Sequence, residues 1–311
     1  MGLPPFHQDE LAAQARAGGG ANGAGIRDFM PDQHREFFAS LPYLFIGTTD
    51  AEGWPLATML TGAPGFVHAP DPVTLRVAAL PDARDPAANH FGVGQEIGLL
   101  GLDLATRRRN RANGRIAQRD AAGFALAVRQ SFGNCPQYIQ SRAVSSAPSQ
   151  PGNAEPLASL DGEARSVISL ADTFFVASRS RPESGAAGGA DISHRGGRPG
   201  FILVEDDTLI VPDFRGNRYF NTLGNLLGEP RGSLLFIDFE RGDLLQLQGM
   251  AEIDWSDKAT GLIEGAQRLW RFHVVRGWRR RAASPLRWAF VGYAPTTERT
   301  GLWRDAERKT G

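Results

Sequence analysis

Short apolar runs, many alternating with polar residues on a period of two, recur along most of this chain and predict a protein built mainly of β-strands. Leu41–Thr48 and Leu56–Leu60 flank the turn Asp50-Ala-Glu-Gly53 and read as a hairpin. Phe66–His68, Thr74–Ala79, Ile97–Leu104, Asn113–Gln118 and Phe124–Gln130 continue the series. A second series runs through Thr173–Ser178, Asp191–His194, Gly200–Glu205, Thr208–Val211, Ser233–Phe239, Leu244–Ile253 and Leu269–Arg276. Helical spacing appears in few places: Gln8–Ala17, Asp32–Ser40 behind Pro31, a short stretch at Asp85–Phe91, Ala164–Leu170 and Tyr219–Leu227. Many short strands with few helices predict closed or nearly closed antiparallel barrels, because closure removes exposed strand edges.

The pattern is written nearly twice. Leu41-Pro-Tyr-Leu-Phe-Ile-Gly-Thr48 matches Ala171-Asp-Thr-Phe-Phe-Val-Ala-Ser178, and Pro64-Gly-Phe66 returns as Pro199-Gly-Phe201. Leu99-Leu-Gly-Leu-Asp103 returns as Leu234-Leu-Phe-Ile-Asp238, and Gly114 as Gly249. Most of these pairs lie about 135 residues apart in the same order, which predicts a duplicated folding unit. Two copies are too few for a solenoid, so the expectation is a fused pair of similar barrels standing in for a symmetric dimer. The boundaries expected are a flexible segment over 1–25, a first, diverged domain over 26–140, a Ser/Ala/Pro/Gly-rich linker over 141–160, a second domain over 161–295 and a tail over 296–311.

Composition narrows the class. The 311 residues are 41% hydrophobic and 22% charged with a formal net charge of +0, so no global basic field points to nucleic acid or an anionic membrane. The one cysteine, Cys135, forms no internal disulfide, no apolar run is long enough to span a bilayer, and the N-terminus carries no basic-then-apolar leader. The localisation expected is the cytoplasm. A Gly-x-Gly-x-x-Gly after a strand, a Walker lysine loop, Cys-x-x-Cys, His-Glu-x-x-His and Gly-x-Ser-x-Gly are all missing, and no metal cluster is visible among six scattered histidines.

Candidate chemistry gathers in the second copy. In Val211-Pro-Asp-Phe-Arg-Gly-Asn-Arg-Tyr-Phe-Asn-Thr-Leu-Gly-Asn225 an apolar strand runs into a loop holding Arg215, Asn217 and Arg218, and the loop opens a helix. Guanidinium forks, an amide and free helix N–H groups suit a phosphate; a solvated surface loop is the alternative. Asp191-Ile-Ser-His-Arg-Gly-Gly197 places His194 and Arg195 at a strand end beside two glycines, and Asp243-Leu-Leu-Gln-Leu-Gln-Gly249 puts Gln246 and Gln248 on one strand face. The first copy carries no Asn-Arg pair. It has Met59-Leu-Thr-Gly62 and Leu80-Pro-Asp-Ala-Arg-Asp-Pro86 in the corresponding places, and Thr106-Arg-Arg-Arg-Asn-Arg111 opposite the Gln246 strand. That arginine run either reaches across to an anionic group or forms a solvated basic edge.

These segments together resemble the pyridoxamine 5'-phosphate oxidase-like split-barrel flavoproteins: the helix–hairpin start, Ser193-His-Arg-Gly-Gly197, the Gly216-Asn-Arg218 loop before Glu229-Pro-Arg231, and Phe236-Ile-Asp-Phe239 with Leu245-Gln-Leu-Gln-Gly249. The resemblance covers roughly 165–255 well and 26–140 less closely. It implies tandem split β-barrels that bind FMN noncovalently at their interface. Asn217 and Arg218 would hold the phosphate, with Thr222 and Asn225 on the following helix as further contacts. Ser193, His194 and Arg195 would lie along the isoalloxazine edge, and Gln246 would face the ring or ribityl chain. The diverged first barrel would wall one side, giving one FMN per chain if that copy is degenerate; two would require a different phosphate site there. Phe6-His-Gln-Asp-Glu10 and Ile26–His34 resemble the start of larger bacterial proteins in which such a module is fused to a ferredoxin-reductase-like domain. Gln130–Ile139 resembles a segment that follows the first barrel in bacterial flavin-domain relatives; Cys135 within it is read as structural, placing the crossing segment, with a nucleophilic role as the alternative and Arg129 as its one sequence neighbour able to lower the thiol pKa. The mixed Arg/Trp stretch Arg276–Trp288 is expected to cap the barrel, to bring Trp288 near the flavin or to form a reductase docking surface.

The activity implied is FMN-dependent two-electron redox chemistry, with electrons arriving from NAD(P)H or a partner reductase and leaving to a small-molecule acceptor. The partners expected are that small molecule, the reductase and a second copy of the chain, with no nucleic acid and no membrane. Three rivals stand beside it: a flavin carrier or sensor without turnover, a pyridoxamine phosphate oxidase proper, whose Arg-rich C-terminal segment has no counterpart here, and a haem-binding split barrel.

Overall fold

The computed structural model describes residues 4–256 and 261–303; the last part of the expected tail, 304–311, lies outside the described residues. A first sheet comprises β1 (Tyr43–Thr49), β2 (Pro55–Thr61), β3 (Val67–Asp71), β4 (Thr74–Val77), β5 (Glu96–Asp103), β6 (Arg108–Asp120) and β7 (Gly123–Gly133), in the order β2-β1-β5-β6-β7-β4-β3. After β8 (Ser141–Ser146) and β9 (Ala154–Leu157) comes a second set: β10 (Thr173–Arg179), β11 (Ala190–Gly196), β12 (Leu203–Glu205), β13 (Thr208–Phe214), β14 (Arg231–Ile237), β15 (Leu244–Asp254) and β16 (Ala266–Arg280). Its order, β11-β10-β14-β15-β16-β13-β12, reproduces the first sheet position for position, with β9 added on β16. Neither hydrogen-bonded path closes on itself, so each unit is a split barrel with its two end strands unpaired to one another.

The repeated glycines mark equivalent irregularities. Gly114 and Gly249 both sit at register shifts in the long central strands. A Cβ at Gly114 would lie 2.0 Å from the Ala127 carbonyl oxygen, and one at Gly249 would lie 2.3 Å from that of His273. Only glycine lets the neighbouring backbone approach this closely.

Each barrel has its own apolar core, centred on Leu44, Ile46, Leu99 and Phe124 in the first and on Phe174, Val176, Leu234 and Trp270 in the second. A third apolar cluster joins them face to face, with Phe45 stacked on its counterpart Phe175 at 3.6 Å between ring centroids. Helices α2 (Asp32–Ser40) and α3 (Gly162–Leu170) precede β1 and β10 as expected, and α4 (Asn221–Gly228) follows β13.

Four expectations change. Asp85–Phe91 is not a helix but a series of turns, because Pro86 interrupts it and the Asp85 carboxylate accepts the Ala87 N–H at 2.8 Å. The linker 141–160 is not structureless: β8 pairs with an unforeseen β17 (Leu286–Gly292), and β9 joins the second sheet. The N-terminal tether is pinned. Its helix α1 (Gln8–Arg16), closed by a His7–Glu10 capping box, packs on α4, and Arg218 donates to Gly19 O and Ala17 O in the glycine run. Trp288 is buried against Tyr43 and Phe239, where it seals the inter-barrel core. No helix among the described residues is long and apolar enough to cross a membrane.

Candidate functional site

Between the barrels lies a cleft that encloses about 110 Å³ and opens to solvent at its mouth. Strand β11 brings Ser193, His194 and Arg195 to one wall, and the loop between β13 and α4 brings Asn217 and Arg218. The first turn of α4 brings Thr222, and the first barrel contributes Arg109 and Arg111 from β6. Six of the eight residues singled out in the sequence therefore line one cleft.

The other two do not line it. Asn225, one turn further along α4, donates to Ser178 Oγ at 3.1 Å and lies 2.8 Å from His7 Nε2. Gln246 crosses the interface on the opposite side, where it donates to Ala57 O at 2.9 Å and to Asp85 Oδ1 at 3.2 Å. Within the cleft, Thr222 donates to Ser193 Oγ at 2.8 Å, while Asn217 Oδ1 accepts the Tyr219 N–H at 3.1 Å and shapes the loop. Arg218 and Phe220 hold left-handed backbone, with φ of 60° and 62°, an uncommon conformation for large side chains. Phe220 also stands at the N-cap of α4 without capping it by its side chain, so the first turn of that helix presents free donors beside the cleft.

The electrostatics are lopsided. Arg109, Arg111, Arg195, Arg218 and Arg268 line the cleft against one lining carboxylate, Asp213. Arg195 and Arg268 both bond to Asp213. Arg111 leaves the cleft to Asp191, with contacts of 3.0 and 2.8 Å in a buried pair that Asn113 supports. Arg109 has no carboxylate partner among the described residues. It donates to Cys135 O at 2.9 Å and sits 3.5 Å from both Nδ1 and O of His194. Burial, followed by Arg111 and Arg195, brings the Arg109 pKa down to about 9, so it remains a cation at neutral pH.

His194 is 5% exposed, and burial, followed by Arg109, Arg195, Arg142 and Arg111, holds its pKa well below 6.5. Its imidazole is therefore neutral. A guanidinium can only donate, so Arg109 assigns Nδ1 the acceptor role and places the ring proton on Nε2. That buried Nε2 has no partner among the described residues. A phosphate-bearing planar ligand fits this donor set: free helix donors and unpaired cations for the anion, and a neutral N–H for a ring acceptor.

The corresponding position in the other half is closed. Strand registers make Thr58 the counterpart of Ser193 and Gln246 the counterpart of Arg111. There Asp85 is buried, accepting from Thr58 Oγ1 at 2.6 Å, from Arg280 Nη1 at 2.7 Å and from Gln246. The arginine run of the first barrel divides: Arg109 and Arg111 reach across, whereas Arg107 binds Tyr293 O at 3.1 Å and Arg108 covers the Phe37 ring at 4.5 Å. Sequence reasoning missed Asp213, which stood in the phosphate-loop stretch, and Arg268, which carried no local signal one residue before the strand expected over Leu269–Arg276.

No model of a known protein family matches the chain, and no curated protein matches it. Solved structures similar to part of it include a FAD-binding protein from Mesorhizobium loti, 12% identical, covering 42% of this chain and 98% of that one at a TM-score of 0.28. Another is a protein of the pyridoxinephosphate oxidase family from Clostridium acetobutylicum, 15% identical over 42% of this chain and 92% of that one, with a TM-score of 0.29. A third is the haem storage protein HutZ of Vibrio cholerae, 13% identical over 39% and 94%, with a TM-score of 0.26. At these identities and TM-scores the likeness carries no functional argument.

Proposed function

We propose that the cleft binds the mononucleotide part of a flavin, FMN, and that the chain is a flavin-dependent oxidoreductase. The observation that supports this best is the unmatched donor set of the cleft: a buried neutral imidazole with its Nε2–H unpartnered, beside unpaired cations and an uncapped helix. The excess of arginine over carboxylate offsets the charge of a phosphate dianion, and the first turn of α4 with Arg218 receives it. His194 donates to an acceptor on the ring, and Arg109 fixes the tautomer that allows it. Thr222 and Ser193 hold each other in place along the wall, and Phe175 packs edge-on against the His194 ring to limit its rotation. A flavin held by Arg218 and the first turn of α4 would supply two-electron redox chemistry, with a reduced nicotinamide or a partner reductase as the donor and a small oxidant as the acceptor.

Haem is less well served. Iron ligation by His194 Nε2 needs the other tautomer, which would aim an Nδ1–H at the Arg109 guanidinium. The visible spectrum of the purified chain, with and without added FMN, tests the reading. Flavin bands at one FMN per chain are expected. A Soret band, or no binding of added FMN, refutes it. Anaerobic mixing with NADH and NADPH then separates an oxidoreductase, whose flavin bleaches, from a carrier, whose flavin does not.

A further inference from the structure

Past the phosphate loop the cleft continues into an outer, solvent-open chamber of about 420 Å³. Arg218, Phe220, Gln267 and Arg268 line both spaces, so the two are contiguous at the anion-binding end. The outer chamber adds Trp255 and, from the N-terminal helix, Arg16. Phe220 and Trp255 stand 6.4 Å apart between centroids. The Arg268 guanidinium lies 5.0 Å from the first ring and 5.3 Å from the second, and Arg16 lies 6.0 Å from Trp255. Among the described residues no carboxylate lines this chamber. Among the described residues the buried indole Nε1 of Trp255 has no acceptor.

Aromatic faces flanked by guanidinium groups select a planar base joined to phosphate: the base stacks, while Arg16 and Arg218, which have no carboxylate partner among the described residues, take the anion and Arg268 stays paired with Asp213. We propose that the outer chamber holds an adenylate group, that of flavin adenine dinucleotide, so that the chain prefers the dinucleotide to FMN. The choice of source rests on the flavin reading of the inner cleft; the adenylate chemistry rests on the chamber itself. The position supports a covalently attached adenylate, since the chamber opens where the mononucleotide's phosphate would end, beside Arg218 and Arg268.

The test titrates the flavin-free full chain with FMN, FAD and ADP, alongside Trp255→Ala, Trp255→Phe and Arg16→Ala. Loss of one base-stacking face costs about tenfold or more in affinity. FAD is expected to bind at least about tenfold tighter than FMN. Trp255→Ala should erase that margin without changing FMN affinity, and Trp255→Phe should keep most of it. Both aromatic variants sit at a half-exposed strand end, and an unchanged melting midpoint confirms that they fold. Equal affinity for FMN and FAD, with ADP failing to bind, overturns the proposal and leaves the flavin reading standing. An FMN-loaded chain that binds ADP through Trp255, yet shows no preference for FAD, overturns the covalent source and makes the adenylate part of a separate co-substrate. Trp255-dependent binding of ADP with no flavin binding supports the chamber and removes the flavin reading instead.

Discussion

Asp85→Ala should loosen the junction between the barrels without touching the open cleft. The wild-type carboxylate is 4% exposed and gathers four donors: Thr58 Oγ1, Ala87 N, Gln246 Nε2 and Arg280 Nη1. Thr58 and Ala87 belong to the first barrel, and Gln246 and Arg280 reach in from the second. Arg280 is itself 2% exposed, and its other carboxylate neighbour, Asp82, lies 3.9 Å away, so removing Asp85 leaves a buried charge with one distant partner. Breaking a buried ion pair from one side costs about 3–5 kcal/mol. For a chain of this size that lowers the melting midpoint by roughly 6–20 °C, taking about 2–4 °C per kcal/mol. Formate should restore part of the loss, since it replaces the missing carboxylate, whereas chloride at equal ionic strength should not. The double variant Asp85→Ala/Arg280→Met should melt above the single one, because the stranded charge is gone. Differential scanning calorimetry with and without formate reads all three. A midpoint within about 2 °C of wild type, or equal effects of formate and chloride, would show that Asp85 does not hold this junction.

Other consequences can be checked without a ligand. His194 is held neutral, so below pH 6.5 the unfolded chain takes up a proton that the folded one refuses. Stability is full above that pH and falls as pH drops, and His194→Asn should flatten the acid limb by up to about 1.4 kcal/mol per pH unit in urea titrations. An unchanged limb would remove that contribution. Glu10 behaves in the opposite sense: burial raises its pKa from 4.5 to about 8, so stability is full below 4.5 and is lost as pH rises toward 8. Glu10→Gln should therefore melt higher than wild type at pH 9 and close to it at pH 4; a lower midpoint at pH 9 contradicts the assignment. In Arg109→Ala the His194 pKa, followed by NMR, should rise because a neighbouring cation is removed. A fall, or no movement, would mean that Arg109 does not act on the imidazole.

The architecture was legible because it is written by period and repetition. Alternating runs gave the strands, and the paired glycines gave the equivalence of the long central strands, since each answers the same backbone collision. The candidate site was legible where it is local. Ser193, His194 and Arg195 share one strand, and Asn217, Arg218 and Thr222 one loop-to-helix passage. What escaped is non-local. Gln246 alternates like a ligand-facing strand residue, yet its partner Asp85 stands 161 positions away. Asn225 looks like a phosphate contact on α4, but a full turn carries it to His7 and Ser178. The docking of α1 was hidden because a glycine-rich run reads as flexible, whereas its carbonyls are fixed by Arg218.

The two halves solve one electrostatic problem differently, and that difference bears on ligand stoichiometry. Face-to-face barrels of equal strand order create two equivalent interface positions, each receiving a polar side chain from the long strand of the opposite barrel. In one position the chain supplies its own anion: Asp85, from the loop that corresponds to the phosphate loop, neutralises Arg280 and fills the space beside Thr58. In the other, Phe220 stands about 135 residues after Asp85, the repeat offset, and brings no carboxylate. Asp191 takes Arg111 and Asp213 takes Arg195 and Arg268, but Arg109 and the first turn of α4 remain without an anion. Unmatched donors and cations in a partly buried cleft favour binding an anion over closing on solvent. On the proposed reading the open position takes its anion from a ligand and the closed one does not, so one bound anion per chain is the expected stoichiometry, and two equivalent sites at saturation would contradict the role given to Asp85.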